Sequence, residues 1–358
     1  MGPRVVIIGA GAVGLFSAVR LAERGAQVTL IDGDAEDWTS RACSASRAAA
    51  GMLAPVSEAQ LEPPNAHPRA FALEWASLAL WRAAPDWLKP HVRFPGALVL
   101  GAFTAPNGVT LEALTRAEIE ARFGVASRMD GAFVADEGVV DPLPAMRALA
   151  TRLHELGGAA HFNLEAEAIE FTPWRRVRCY GGATFTADHI LLAPGAWASD
   201  ALKDSAPALK QLRPAKGVLA PVRLARDLDV TLRGPNFYLA PRSASDVVLG
   251  STMEFDVVDR RADPARVTTL LGAAQAALPE LVALADEPAW AGVRPMSPDW
   301  SPLVGPNGAE GVLVACGHSR NGWLNAPITA EMICAYVWGE EIPPLWAAFR
   351  PDRFEKTG

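Results

Sequence analysis

Gly9-Ala10-Gly11-Ala12-Val13-Gly14 lies between the apolar run Arg4-Val5-Val6-Ile7-Ile8 and a segment with Leu15, Ala18, Val19 and Ala22 at helical spacing. Gly9 permits a tight turn, Gly11 lets backbone approach a pyrophosphate, and Gly14 lets helix and strand pack closely. The helix start offers free N–H groups and a partial positive charge to phosphates. A second strand, Gln27-Val28-Thr29-Leu30-Ile31, ends in Asp32, where a carboxylate can accept hydrogen bonds from a ribose diol. Strand, turn, helix, strand and acid all fall in register. Gly9, Ala10, Gly11, Val13, Gly14, Asp32 and Gly33 are therefore read as cofactor-binding. An acid at the ribose disfavours a 2′-phosphate, which leaves NAD and FAD both open.

A second segment, Ala45-Ser46-Arg47-Ala48-Ala49-Ala50-Gly51-Met52-Leu53-Ala54-Pro55, is rich in small residues. Backbone here can lie against a flat or phosphate-bearing ligand, with Ser46 and Arg47 as donors; a packed helix of small residues reads equally well. Near the other end, Gly317-His318-Ser319-Arg320-Asn321-Gly322-Trp323-Leu324 follows the apolar run Gly311–Cys316. Taken together and in order, these segments resemble the glycine oxidase branch, of the thiamin-biosynthesis type, of the D-amino-acid oxidase family. The resemblance covers essentially the whole chain and implies FAD as cofactor.

The same resemblance implies roles for further residues. Trp290-Ala291-Gly292-Val293-Arg294-Pro295 is similar to the segment whose arginine binds the substrate carboxylate, so Arg294 is expected to do so. A guanidinium fork pairs bidentately with a carboxylate, although a structural ion pair reads as well from sequence alone. Arg320 matches an arginine that assists with substrate or flavin. Tyr238, in Asn236-Phe237-Tyr238-Leu239-Ala240-Pro241-Arg242, matches a pocket tyrosine, which completes the catalytic set Arg294, Tyr238 and Arg320. Met52, Asn236, Trp323 and Asn325 are expected in the substrate pocket. Ser46, Arg47, Ala50, Gly51, Met52, Gly195, Trp197, Arg294, Arg320, Asn321, Gly322, Trp323 and Leu324 are expected around the cofactor. His318 is read as a turn residue bonded to backbone. The implied reaction is hydride transfer from Cα–H to flavin N5, giving an imine and, with oxygen, hydrogen peroxide. Trp323 is bulkier than the family's usual aliphatic residue and Asn325 is polar where an apolar one is usual. A larger or cyclic D-amino acid or a secondary amine is thus a second reading, and a non-catalytic flavin-binding protein a third. No cysteine falls where covalently flavinylated relatives attach the cofactor, so FAD is expected to be non-covalent.

The elements that must position these residues can be read coarsely. Continuous apolar strands at 4–8, 27–31, 189–193 and 311–316 belong to a parallel sheet buried on both faces. Helices are expected after Gly9, over 115–123 and 142–156, and from near Asn325. Another places Phe71, Trp75, Leu78 and Trp81 on one face. Strands are expected near 159–162, 166–171 and 175–180. From about 200 to 297, strand-like pieces (217–222, 237–240, 247–251) and one helix (264–278) suggest an antiparallel sheet. The fold class is α/β: a doubly wound, Rossmann-like FAD-binding domain with an inserted antiparallel-sheet α+β substrate domain. Residues 1–90, 140–200 and 298–358 are assigned to the first, 91–139 and 201–297 to the second.

Composition narrows the classes. Half of the 358 residues are hydrophobic and 20% are charged, which excludes a disordered chain. A net charge of −7 argues against nucleic acid as partner. Cys43, Cys179, Cys316 and Cys334 have neither metal-type nor redox spacing, and His67, His91, His154, His161 and His189 show no ligand pattern, so no metal is expected. No signal peptide and no apolar run of the ~20 residues that span a bilayer are seen. The expectation is a cytoplasmic enzyme, compatible with a homo-oligomer, whose partners are a small amino acid or amine and oxygen.

Overall fold

The apolar runs from the two ends of the chain meet in one sheet. The computed structural model describes residues 2–35, 38, 44–59, 61–106, 108–242, 247–284 and 286–354; Cys43 lies outside them. Six strands lie in the order Leu303–Pro306, Val312–Cys316, His189–Leu192, Arg4–Ile8, Gln27–Ile31 and Ala159–His161. The last five are parallel, and Leu303–Pro306 runs antiparallel at one edge. Helices Ala12–Glu23, Pro142–Glu155 and Gly322–Trp338 supply Leu15, Leu149 and Ile333 to the core that covers one face. The other face, through Val6, Ile8, Ile190 and Leu192, packs on Ile169 and Val177 of a three-stranded antiparallel sheet and on Leu202 of the short helix Asp200–Ser205. Apolar side chains are thus buried on both faces, which is why these strands show no polar alternation.

Ten strands drawn from residues 97–134 and 213–296 form a second sheet. Its pairings are antiparallel apart from Thr231–Gly234 on Ala97–Leu100. The 11-residue strand Arg213–Arg223 is its spine, bonding Trp290–Met296, Val247–Gly250, Glu254–Phe255 and Val282–Ala283. Helix Pro264–Ala277 covers one face with Leu270, Ala274 and Ala277. The short strands Met52–Leu53, Gly138–Val140 and Val92–Arg93 form a further small sheet. No helix among the described residues is long and apolar enough to cross a membrane.

Two helices differ from the sequence reading. Ala70–Arg82 buries Leu73, Glu74, Ser77, Leu78 and Trp81, while Trp75 is 40% exposed and stacks with Phe71 at 5.7 Å on the flank. The buried stripe is polar in part because it faces helix Gly322–Trp338, where the Ser77 hydroxyl donates to the Leu324 carbonyl at 2.6 Å. That last helix starts at Gly322, three residues before Asn325, and contains Pro327. Proline has no N–H for the carbonyl four residues back. The Trp81 indole N–H replaces it, donating to Trp323 O at 3.1 Å.

Candidate active site

A cavity of about 490 Å³ lies between the two sheets, with the glycine turn at one end and Arg294 and Tyr238 at the other. The turn depends on its glycines. Gly9 has φ +111°, and a Cβ there would lie 2.2 Å from Ala193 O. A Cβ on Gly14 would lie 1.8 Å from Gly9 O, so helix and strand close only because both lack one. Ala10 N–H donates to Asp32 Oδ2 at 2.5 Å and Asp34 N–H to Oδ1 at 2.7 Å. This fixes the Asp32 carboxylate on the cavity wall, where burial raises its pKa. Ser46 Oγ accepts from Ala12 N–H at 2.9 Å, which locks the helix Ala45–Ala48 against the turn. Trp323 Nε1 donates to Ser46 O at 2.9 Å from the other side.

The far end is built on the second sheet. Arg294, on strand Trp290–Met296, donates to Ser251 Oγ at 2.6 Å and Thr252 O at 3.3 Å. Among the described residues no carboxylate pairs with it, and burial lowers its pKa. Two glycines clear the space it shares with Tyr238. A Cβ on Gly217 would lie 2.4 Å from both terminal nitrogens of Arg294, and one on Gly250 would lie 2.3 Å from the Tyr238 hydroxyl. Arg320 is differently placed. It lines the cavity but is neutralised by Glu62 at 2.9 Å and Glu58 at 3.3 Å, and Glu58 also pairs with buried Arg233. His318 bonds the Thr329 hydroxyl at 2.9 Å, not backbone as the sequence suggested, and burial pushes its pKa down to about 3. The Cys316 thiol donates to Gly195 O at 3.3 Å, and burial pushes it up to about 12.

The remaining expected residues divide by position. Gly11, Val13, Gly33, Ala50, Gly195, Trp197 and Gly322 also line the cavity. Arg47 is buried behind it, with Nε on Trp38 O at 2.9 Å, and Asn321 donates to Glu74 Oε1 at 2.6 Å. Gly51 has φ +81°, with Val140 O where a Cβ would stand. Met52 is off the cavity wall, half-buried against the small core that contains Ala48, Ala50 and Trp290. The Leu324 carbonyl is taken by Ser77 and Trp81. Asn236 sits on an exposed turn beside Pro235, away from the cavity, because strands Thr231–Gly234 and Phe237–Pro241 pair directly across it. Asn325 is 1% exposed and off the cavity wall, since the early start of its helix turns it into the interior.

A family model described as FAD dependent oxidoreductase matches residues 4–336. The chain belongs to that family. Relatives align over nearly all of the chain. It is 31% identical to the bifunctional protein ThiO/ThiG of Synechocystis sp. over 99% of this chain and 54% of that protein, so it spans about half of that relative's length. It is 26% identical to the glycine oxidase of Bacillus licheniformis, covering 98% of this chain and 97% of that one. The crystal structure of glycine oxidase from Geobacillus kaustophilus superposes with a TM-score of 0.83 at 25% identity, covering 98% and 99% of the two chains.

The cavity fits FAD on its own geometry. Glycines stand where Cβ atoms would close the turn, the Asp32 carboxylate lies on the wall beside it, and the half-buried Arg294 guanidinium lies at the opposite end. Sequence reasoning missed the residues that make room. Gly217 and Gly250 look like ordinary strand interruptions in sequence. Gly292, whose Cβ would meet Ala48 Cβ at 2.6 Å, lets the Arg294 strand pass under the Ser46 helix. A glycine inside a strand marks close approach of another group, and that was the available signal.

Proposed function

We propose that the protein oxidises a small amino acid or amine, with glycine the first candidate, and passes the electrons to oxygen. The unpaired Arg294 guanidinium carries this reading. A half-buried cation on the cavity wall, held by neutral oxygens alone, calls for an anionic partner, and a carboxylate matches its fork. FAD, when bound, would supply the hydride acceptor for the substrate Cα–H and the route by which its electrons reach oxygen as hydrogen peroxide. Arg294 orients the carboxylate and turns collision into alignment. The Tyr238 hydroxyl stands beside it. Arg320, already neutralised by Glu58 and Glu62, shapes the wall and offers less charge. His318 is committed to Thr329 and held neutral, so the substrate amine must enter unprotonated without help from that ring.

In this reading the FAD is held without a covalent bond, since the Cys316 thiol is kept protonated by burial. Residues 1–90, 140–200 and 298–358 form the cofactor part, and 91–139 and 201–297 the substrate part. A reducing, cytoplasmic setting agrees with Cys179, Cys316 and Cys334 being free and buried. A peroxide-coupled screen of the purified holoenzyme against glycine, sarcosine, D-amino acids and cyclic amines tests the proposal. Turnover of glycine or sarcosine that is lost in Arg294→Ala supports it. Preference for a cyclic or bulky amine moves the assignment to a larger substrate. Flavin that no amine reduces anaerobically refutes amine chemistry altogether.

A further inference from the structure

We propose that Arg260 and Trp197 form a clasp between the two sheets that retains the adenylate half of bound FAD. Both residues line the cavity at the end marked by Asp32 and Asp34. Trp197 follows the Pro194-Gly195 turn at the end of the parallel strand His189–Leu192. Arg260 comes from the other sheet, on the loop between Glu254–Phe255 and helix Pro264–Ala277. The guanidinium carbon of Arg260 lies 4.1 Å from the Trp197 ring centroid, and Nη1 stands 3.8 Å from Asp34 Oδ1. A guanidinium stacked on an indole is a cation–π contact that the planar fork suits better than an ammonium would.

Three observations make this more than a surface contact. The loop is anchored one residue away: Asp259 pairs with the buried Lys216 Nζ at 3.6 Å and accepts the Arg261 N–H at 2.9 Å. Arg260 is therefore aimed across the cleft from a fixed base. Its donors are not saturated, because among the described residues it makes no hydrogen bond and its one ion pair is long. Trp197 remains 41% exposed at the edge of a cavity that Gly195, with no atom within 4 Å of a built Cβ, leaves open. A flat, phosphate-bearing group entering beside Asp32 covers the indole and meets the free guanidinium donors. The stacked pair then covers the nucleotide.

The inference rests on FAD as cofactor and not on the amine reading, and its readout is cofactor affinity. FMN lacks the adenylate half and serves as the control. Full-length wild type, Arg260→Ala and Trp197→Leu are stripped of flavin and titrated with FAD and with FMN, following flavin fluorescence. FAD release from each holoenzyme is timed in parallel. Either substitution should weaken FAD binding about tenfold and speed its release, while FMN affinity stays within about a factor of two. A variant that fails to fold is recognised by its melting curve, and the other then carries the test. Unchanged FAD affinity, or equal weakening for FAD and FMN, overturns the clasp.

Discussion

Gly217→Ala should disable the carboxylate site without unfolding the protein. Gly217 lies within strand Arg213–Arg223, and its added methyl would meet Arg294 Nη1 and Nη2 at 2.4 Å and Cζ at 2.7 Å. Ordinary contact needs about 3.5 Å, so the guanidinium must retreat by about 1 Å. It is the far end of a flexible side chain, so the fold yields cheaply there. Gly217 also has no left-handed φ that alanine would resist. The move strains the 2.6 Å bond to Ser251 Oγ and misplaces the fork proposed to receive the substrate carboxylate. A charge-assisted hydrogen bond contributes about 1.5–3 kcal/mol, and a misplacement of this size costs up to about 100-fold. Thus kcat/KM for the best amine in the peroxide assay should fall roughly 10- to 100-fold. Tm should stay within about 2 °C of wild type, since alanine favours an extended strand over glycine. Full activity with an intact melting curve would refute the placement of Arg294 as the carboxylate anchor. A collapse of Tm would refute the claim that the methyl acts on the side chain alone.

Two further outcomes follow from buried polar groups. Burial pushes the Glu74 carboxyl up to about 8, so the folded state holds a proton that the unfolded chain releases near its ordinary value of 4.5. This stabilisation is complete at acid pH and is lost as pH rises from that value through 8. Melting curves of Glu74→Gln should therefore change less between pH 5 and 8 than those of wild type; parallel curves would show that Glu74 is not protonated in the native state. Trp81→Phe removes the donor that satisfies the Trp323 carbonyl left over by Pro327. A buried unsatisfied carbonyl costs about 1–3 kcal/mol, and thermal scanning should show a Tm lower by a few degrees, whereas an unchanged Tm would mean that another donor takes over.

The parallel sheet and the glycine turn were legible because each is a local pattern. Four apolar runs without alternation became strands 4–8, 27–31, 189–192 and 312–316, and Asp32 reached the turn through Ala10 N–H. The second sheet was legible only in part. Thr231–Gly234 carries Arg233, buried with Glu58, in a short segment that shows no strand period because all four residues are buried, and one of its two partner strands, Ala97–Leu100, lies about 130 residues away in the chain. The sequence groups Phe71 and Trp75 with Leu78 and Trp81 on one face of helix Ala70–Arg82, whereas the buried stripe runs through Leu73, Ser77, Leu78 and Trp81. Its partner helix instead needed the small Ser77 and the indole N–H of Trp81. Arg294 and Arg320 look alike in sequence. The three acids that distinguish their surroundings, Glu58, Glu62 and Glu74, carry no motif, and chain folding alone brings them to Arg320.

The strand order of the six-stranded sheet also bears on how the protein is made. Arg4–Ile8 finds Gln27–Ile31 as soon as both have left the ribosome, but its other edge waits for His189–Leu192. That strand in turn waits for Val312–Cys316. The central apolar strands are thus synthesised long before their neighbours, with backbone edges that invite wrong pairing. All strands of the ten-stranded sheet, from residues 97–134 and 213–296, are synthesised while the first sheet is still incomplete. Nascent chains halted before residue 312 should need holding chaperones to stay soluble, and contacts of such sequence separation make the last step of folding slow.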